Sequence, residues 1–117
     1  MAEGMSETLK AEIRKYSSVL EQLRVVSLSK QQLQAQLVEL REALEELGRL
    51  ESEERVYKII GRIMVPISKS KIEEELKERL DSIEARLATL QKQESLLKKQ
   101  LEDLERRIAR KMGGISG

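Results

Sequence analysis

Val56-Tyr57-Lys58-Ile59-Ile60-Gly61-Arg62-Ile63-Met64-Val65-Pro66-Ile67 is the stretch on which the fold turns. Two runs of β-branched and aliphatic residues flank Gly61-Arg62, a dipeptide that suits a two-residue type II′ hairpin turn. Folded there, the stretch pairs Ile60 with Ile63, Ile59 with Met64 and Lys58 with Val65. Pro66 has no N–H to give to a ladder, which places it at a strand end or on an outward edge. Both faces are apolar: Val56, Ile60, Ile63, Val65 and Ile67 share one, and Tyr57, Ile59 and Met64 the other. A lone two-stranded hairpin is marginal in water, and helix packing hides only one face. The second face calls for hairpins from other chains. The insert, with Lys58 and Gly61 among its residues, therefore reads as an oligomerisation element.

On either side the hydrophobic period changes from 2 to 3.5. Upstream the apolar series runs Leu9, Ile13, Tyr16, Leu20, Leu23, Val26, then Lys30, then Leu33, Leu37, Leu40, Leu44, Leu47. This is heptad spacing with one three-residue stammer around Leu23–Val26, expected to overwind the supercoil locally. Gly48 follows, where a left-handed glycine would end the helix. Downstream the series is Ile72, Leu76, Leu80, Ile83, Leu87, Leu90, Glu94, Leu97, Leu101, Leu104, Ile108. Ser70 and Glu73 suit a capping box at its start, and Gly113-Gly114 its end. Acid-to-base pairs at i,i+4, such as Glu75–Arg79, Glu94–Lys98 and Asp103–Arg107, support a solvated helix.

Two matched arms joined by a short insert imply an antiparallel hairpin of helices, each about 60 Å long. The expected organisation is one mainly α domain over 1–117. Its first helix covers 6–48, the β-hairpin 55–67, the second helix 70–112 and a flexible tail 113–117. In this register Leu47 lies near Ile72 and Leu9 near Ile108. Lys30 and Glu94 then fall within one or two turns of each other, and read as polar register markers rather than as a direct ion pair.

Composition agrees and excludes much else. The 117 residues are 37% charged but only 2% aromatic, with no Phe, Trp, His or Cys. That is too little aromatic bulk for an ordinary compact core, and it is the composition of long helices. Without Cys or His there is no disulfide, no thiolate nucleophile and neither of the usual transition-metal ligands. No motif cradles phosphate, so neither catalytic residues nor a cofactor are expected, and an enzyme is the least favoured class. The net charge of +1 gives no overall field for nucleic acid. No apolar run approaches a membrane span, and the first residues lack the regions of a signal peptide, so the default compartment is the cytoplasm.

A helix, one β-hairpin and a returning helix in this length resembles the β-class subunits of prefoldin, an ATP-independent chaperone. Val56-Tyr57-Lys58 followed by Ile60-Gly61 is similar to the family's strand-and-turn motif, and Met64-Val65 fits the second strand. Gln93-Glu94 within a leucine seam, and Gln22-Leu23, Lys30 and Ala43-Leu44-Glu45-Glu46 in the first arm, fit as well. Pro66 departs from the pattern, since family members more often carry a polar residue such as Lys there. The resemblance implies an α2β4 hexamer with α-class subunits, its hairpins assembled into an intersubunit β-barrel. It also implies holding of unfolded clients between coiled-coil tips and their delivery to a group II chaperonin.

An antiparallel arrangement brings both termini to one tip. There Met1, Met5, Leu9 and Ile13 meet Ile108, Met112 and Ile115. Frayed ends expose such groups, and Met adapts to many partners. These are the candidate client-binding residues, although Leu9, Ile13 and Ile108 would serve equally to close the seam. The competing class is a homodimeric coiled-coil adaptor without chaperone activity. It explains the heptads but not a β insert with two apolar faces.

Overall fold

The computed structural model describes residues 6–51 and 54–116, with side chains to residue 113. Helix α1 (Glu7–Arg49) leads into strands β1 (Val56–Ile60) and β2 (Ile63–Ile67), and helix α2 (Lys69–Ser116) follows. The chain divides into two compact units, one of residues 1–30 with 89–117 and one of residues 31–88. Among the described residues no helix is long and apolar enough to cross a membrane.

Residues 31–88 carry the hairpin. The strands pair antiparallel as Val56↔Ile67, Tyr57↔Pro66, Lys58↔Val65, Ile59↔Met64 and Ile60↔Ile63, the register read from the sequence. Gly61 holds φ at +60° while Arg62 keeps a negative φ. That combination is the type II′ turn, whose twist matches the strands on either side. Leu33, Leu40, Leu47 and Ile83 are buried along the facing helices, and Arg41 pairs with Glu84 at 3.3 Å.

The helix ends near the hairpin differ from expectation. Helix α1 runs through Gly48 to Arg49, and Gly48 does not adopt the left-handed conformation. The last turn tightens instead, with Leu50 N–H donating to the Leu47 carbonyl at 3.2 Å. The Leu50 carbonyl accepts from Lys69 Nζ at 2.7 Å. A cation from the next helix thus satisfies this end and suits its negative pole. At the start of α2 the cap is Ser68, not Ser70. Its Oγ accepts from Lys71 N–H at 3.3 Å and its carbonyl from Ile72 N–H at 3.1 Å. Strand β2 ends at Ile67, so Ser68 is the first residue free to cap. At its other end α2 passes through Gly113 and Gly114 to Ser116. Glycine weakens a helix by about 1 kcal/mol against alanine but, unlike proline, does not stop it.

In residues 1–30 with 89–117 the helices run antiparallel. The seam of α1 is corrected at two places, Glu12 standing for Ile13 with its side chain 16% exposed and Val19 for Leu20: Val19 is only 1% exposed and Leu20 is 46% exposed. With Val19 and Glu12 in the seam, the steps from Leu9 to Leu47 alternate 3 and 4 without a break, and the stammer disappears. The reason lies on α2, whose own series is unbroken from Leu80. A stammer on one helix would drive its seam out of phase with an uninterrupted partner. Ile108 lies between Glu105, bonded by Tyr16, and Lys111, paired with Glu12. It is therefore level with residues 12–16 rather than with Leu9.

Candidate functional site

Two places were marked by the sequence, the hairpin and the terminal end of the helices. In the hairpin, cross-strand partners share a face, so Val56, Lys58 and Ile60 lie with Ile67, Val65 and Ile63. Val56, Lys58 and Ile67 are half-buried, and Lys58 Nζ donates to Glu75 Oε2 of α2 at 2.8 Å. This holds the first face toward the helix. Lys58 keeps the Glu75 carboxyl below its ordinary value, chiefly by the hydrogen bond, which outweighs the opposing cost of burial, and then by its charge. The second face is bare. Ile59 is 71% exposed and Met64 62% exposed, with Tyr57 beside them and Ile60 and Ile63 open near the turn.

Isolated apolar side chains on a surface are ordinary, but a contiguous set on a two-stranded ribbon marks an interaction site. The positions named from the sequence are thus brought together. Only the contacts of Lys58 with Glu75, which docks the hairpin onto α2, and of Lys69 with Leu50, which joins the two helix ends, were not legible in the sequence.

A chain of this design has known relatives. A family model described as "Prefoldin subunit" matches residues 10–115. The chain belongs to the prefoldin family. A prefoldin subunit beta of Saccharolobus islandicus (strain L.S.2.15 / Lassen #1) is 39% identical over 108 residues, spanning 92% of this chain and 86% of that protein. One of Pyrobaculum neutrophilum is 34% identical over 105 residues, spanning 90% of this chain and 83% of that protein. The crystal structure of the prefoldin beta subunit from Thermococcus strain KS-1 superposes with a TM-score of 0.82 at 34% identity, covering 88% of this chain and 90% of that one. The two long helices with an antiparallel hairpin between them are the prefoldin beta fold.

At the terminal end of this prefoldin chain the marked residues separate. Leu9 is fully buried, and Ile13 and Ile108 are half-buried. These three therefore lie in or beside the seam. Met112 is half-exposed. Met1 and Met5 lie outside the described residues, as does the side chain of Ile115. Glu12 takes the seam position beside Ile13, its side chain 16% exposed, and pairs with Lys111 at 2.9 Å. Glu12 Oε2 is buried without a hydrogen-bond partner. The seam position of Glu12 was missed in the sequence because Ile13, one residue away, filled the same heptad slot.

The central polar layer is more complete. Lys30 Nζ donates to Glu94 Oε1 at 3.1 Å and to Gln91 Oε1 at 2.6 Å, and Lys98 approaches Glu94 at 3.7 Å. The two register markers are therefore a direct ion pair, against the sequence reading. The hydrogen bond from Lys30, then the charges of Lys30 and Lys98, hold the Glu94 carboxyl below its ordinary 4.5, although burial opposes this. A carboxyl with a depressed folded pKa stabilises fully above its unfolded value, and the contribution is lost as pH falls through the folded value. Thermal melts of the wild type should therefore lose Tm below about pH 4.5 more steeply than those of Glu94→Gln. Parallel curves would show that the layer does not couple to folding.

The sequence reading also missed a second apolar surface. Val25, Val26, Leu96 and Leu97 line an open groove of about 570 Å³, edged by Glu21, Gln22, Gln93 and Gln100. Val25 and Leu96 are more than half exposed, as is Leu28 one turn along. Their signal was present in the sequence: apolar residues at off-seam positions of a heptad.

Proposed function

We propose that the chain is a β-class subunit of a prefoldin hexamer, α2β4, acting in the cytoplasm as an ATP-independent holdase. The observation that carries this is the bare apolar face of Tyr57, Ile59 and Met64 on a hairpin tied to α2 by Lys58 and Glu75, in a chain whose relatives are prefoldin beta subunits. Hairpins of neighbouring subunits cover that face by joining into a barrel. This leaves the helical arms free to hold unfolded clients and pass them to a group II chaperonin. The work is binding and release, so it calls for no cofactor, nucleotide or metal, and neither membrane nor nucleic acid is a partner. A homodimeric adaptor is the alternative, and it gives no role to the second hairpin face.

Mixing the chain with an α-class subunit should give a complex with the mass of two α and four β chains, which suppresses aggregation of a denatured substrate without ATP. A closed dimer indifferent to the α-class subunit would overturn the proposal in favour of the adaptor.

The client site is placed at the termini, where Met1, Met5, Met112 and Ile115 supply adaptable apolar contacts and several tips act together. Deleting residues 1–5 and 112–117 keeps the Glu12–Lys111 pair. It should leave the hexamer mass unchanged while weakening protection of substrate about tenfold by titration. Undiminished protection would move the client site elsewhere on the arms, with the groove at Val25 and Leu96 next in line.

A further inference from the structure

The hairpin has two free edges, and the turn fixes which backbone groups each presents. With a two-residue turn, Ile60 and Ile63 exchange both ladder bonds, and bonded and non-bonded pairs alternate from there. Lys58 with Val65 and Val56 with Ile67 are therefore bonded pairs. In the pairs Ile59 with Met64 and Tyr57 with Pro66, the backbone groups point outward. The edge of β1 thus offers two N–H donors, from Tyr57 and Ile59. The edge of β2 offers one, from Met64, because Pro66 has none.

Three ways of joining two such hairpins then differ. Setting β2 against a second β2, with Met64 opposite Pro66 of the other copy, leaves two of four ladder bonds unmade. Setting β1 against a second β1 makes all four, but it brings Lys58 directly opposite Lys58 of the other copy. Like charges facing across a ladder repel, and among the described residues the ion pair of Lys58 is with Glu75. Setting β2 against β1 makes three bonds and places Lys58 opposite Val65.

We propose that Pro66 makes the free edge of β2 a selective docking edge, which receives the β1-type edge of a neighbouring subunit's hairpin and rejects the β2 edge of a second copy. This rests on the reading of the hairpin as an assembly element. Joining unlike edges is heterologous and propagates until a ring closes, whereas joining like edges stops at a dimer. Pro66 costs the hairpin itself nothing, since its missing N–H faces away from β1. Its position is thus explained by the edge alone.

The chain has no cysteine, so Val65→Cys is a clean reporter: two-fold pairing of β2 edges sets residue 65 opposite itself. The measurement is the yield of disulfide-linked dimer of the isolated chain in a glutathione buffer, with and without Pro66→Ala. Little dimer is expected with Pro66 present, and at least about tenfold more with P66A, which restores two ladder bonds. Mixing the V65C chain with a Lys58→Cys chain should give the mixed dimer in both backgrounds, resolved by mass. Equal V65C dimer with and without Pro66, no dimer in either, or a gain confined to the mixed species would overturn the proposal. Circular dichroism of each variant confirms that the helices are intact. Failure to bind an α-class subunit would count against the proposed function, and it is read in a separate mixture.

Discussion

Ile59→Asp is expected to abolish co-assembly with an α-class subunit while leaving the isolated chain helical. In the single chain Ile59 is the most exposed of the large apolar residues described, at 71%, so the substitution changes its stability by no more than about 0.5 kcal/mol. In the proposed assembly the same side chain would lie under a neighbouring hairpin. A carboxylate buried there without a partner costs about 3 kcal/mol or more, which weakens association at least about a hundredfold. Met64→Asp, on the cross-strand partner, should behave alike. Arg62→Asp at the solvent-facing turn should not, and it serves as the charge control. Native mass spectrometry of the mixture reads the result directly. An unchanged hexamer with Ile59→Asp would mean that the bare face is not the assembly surface.

The hairpin was legible in the sequence to the residue because its constraints are local. Glycine at the first turn position, a two-residue loop and the pleat together admit one register. The helix ends were less legible because several residues compete for the same role. Ser68 and Ser70 both suit a cap, and the end of β2 at Ile67 decides between them. Gly48 suits a left-handed stop, but Lys69 reaches the Leu50 carbonyl from the next helix and removes the need for one. No window of α1 contains Lys69. The same limit hid the Lys30–Glu94 contact, since each charge is visible in its own heptad while the phase between the helices is not.

Of the candidate client site, the sequence could name the apolar residues near the termini and single out Leu9, Ile13 and Ile108 as able to close the seam, but not decide between the two roles. Leu9 belongs to the seam because it is fully buried, and Ile13 cedes part of its slot to Glu12, whose carboxylate has Lys111 to meet. A reading that follows apolar residues alone prefers Ile13 and Leu20 and so generates a stammer. Charges in the seam carry register as well as apolar groups do. With Glu12 and Val19 in place, α1 keeps one phase from end to end.

Val19 and Leu20 give that conclusion its sharpest test. Val19 is 1% exposed and Leu20 46% exposed, yet they are adjacent and the sequence favours Leu20 for the seam. Val19→Asp puts a carboxylate into a seam position that is 1% exposed, between Tyr16 and Leu23. The cost is about 3–5 kcal/mol, a fall in Tm of about 10–20 °C for a chain of this size. Leu20→Asp leaves the charge in water and should stay within about 0.5 kcal/mol, or about 2 °C. Melts by circular dichroism at neutral pH separate the two. A stammered seam predicts the reverse order, with Leu20→Asp the damaging change. Equal losses would mean that both side chains share the seam, so that the heptad loses its phase there after all.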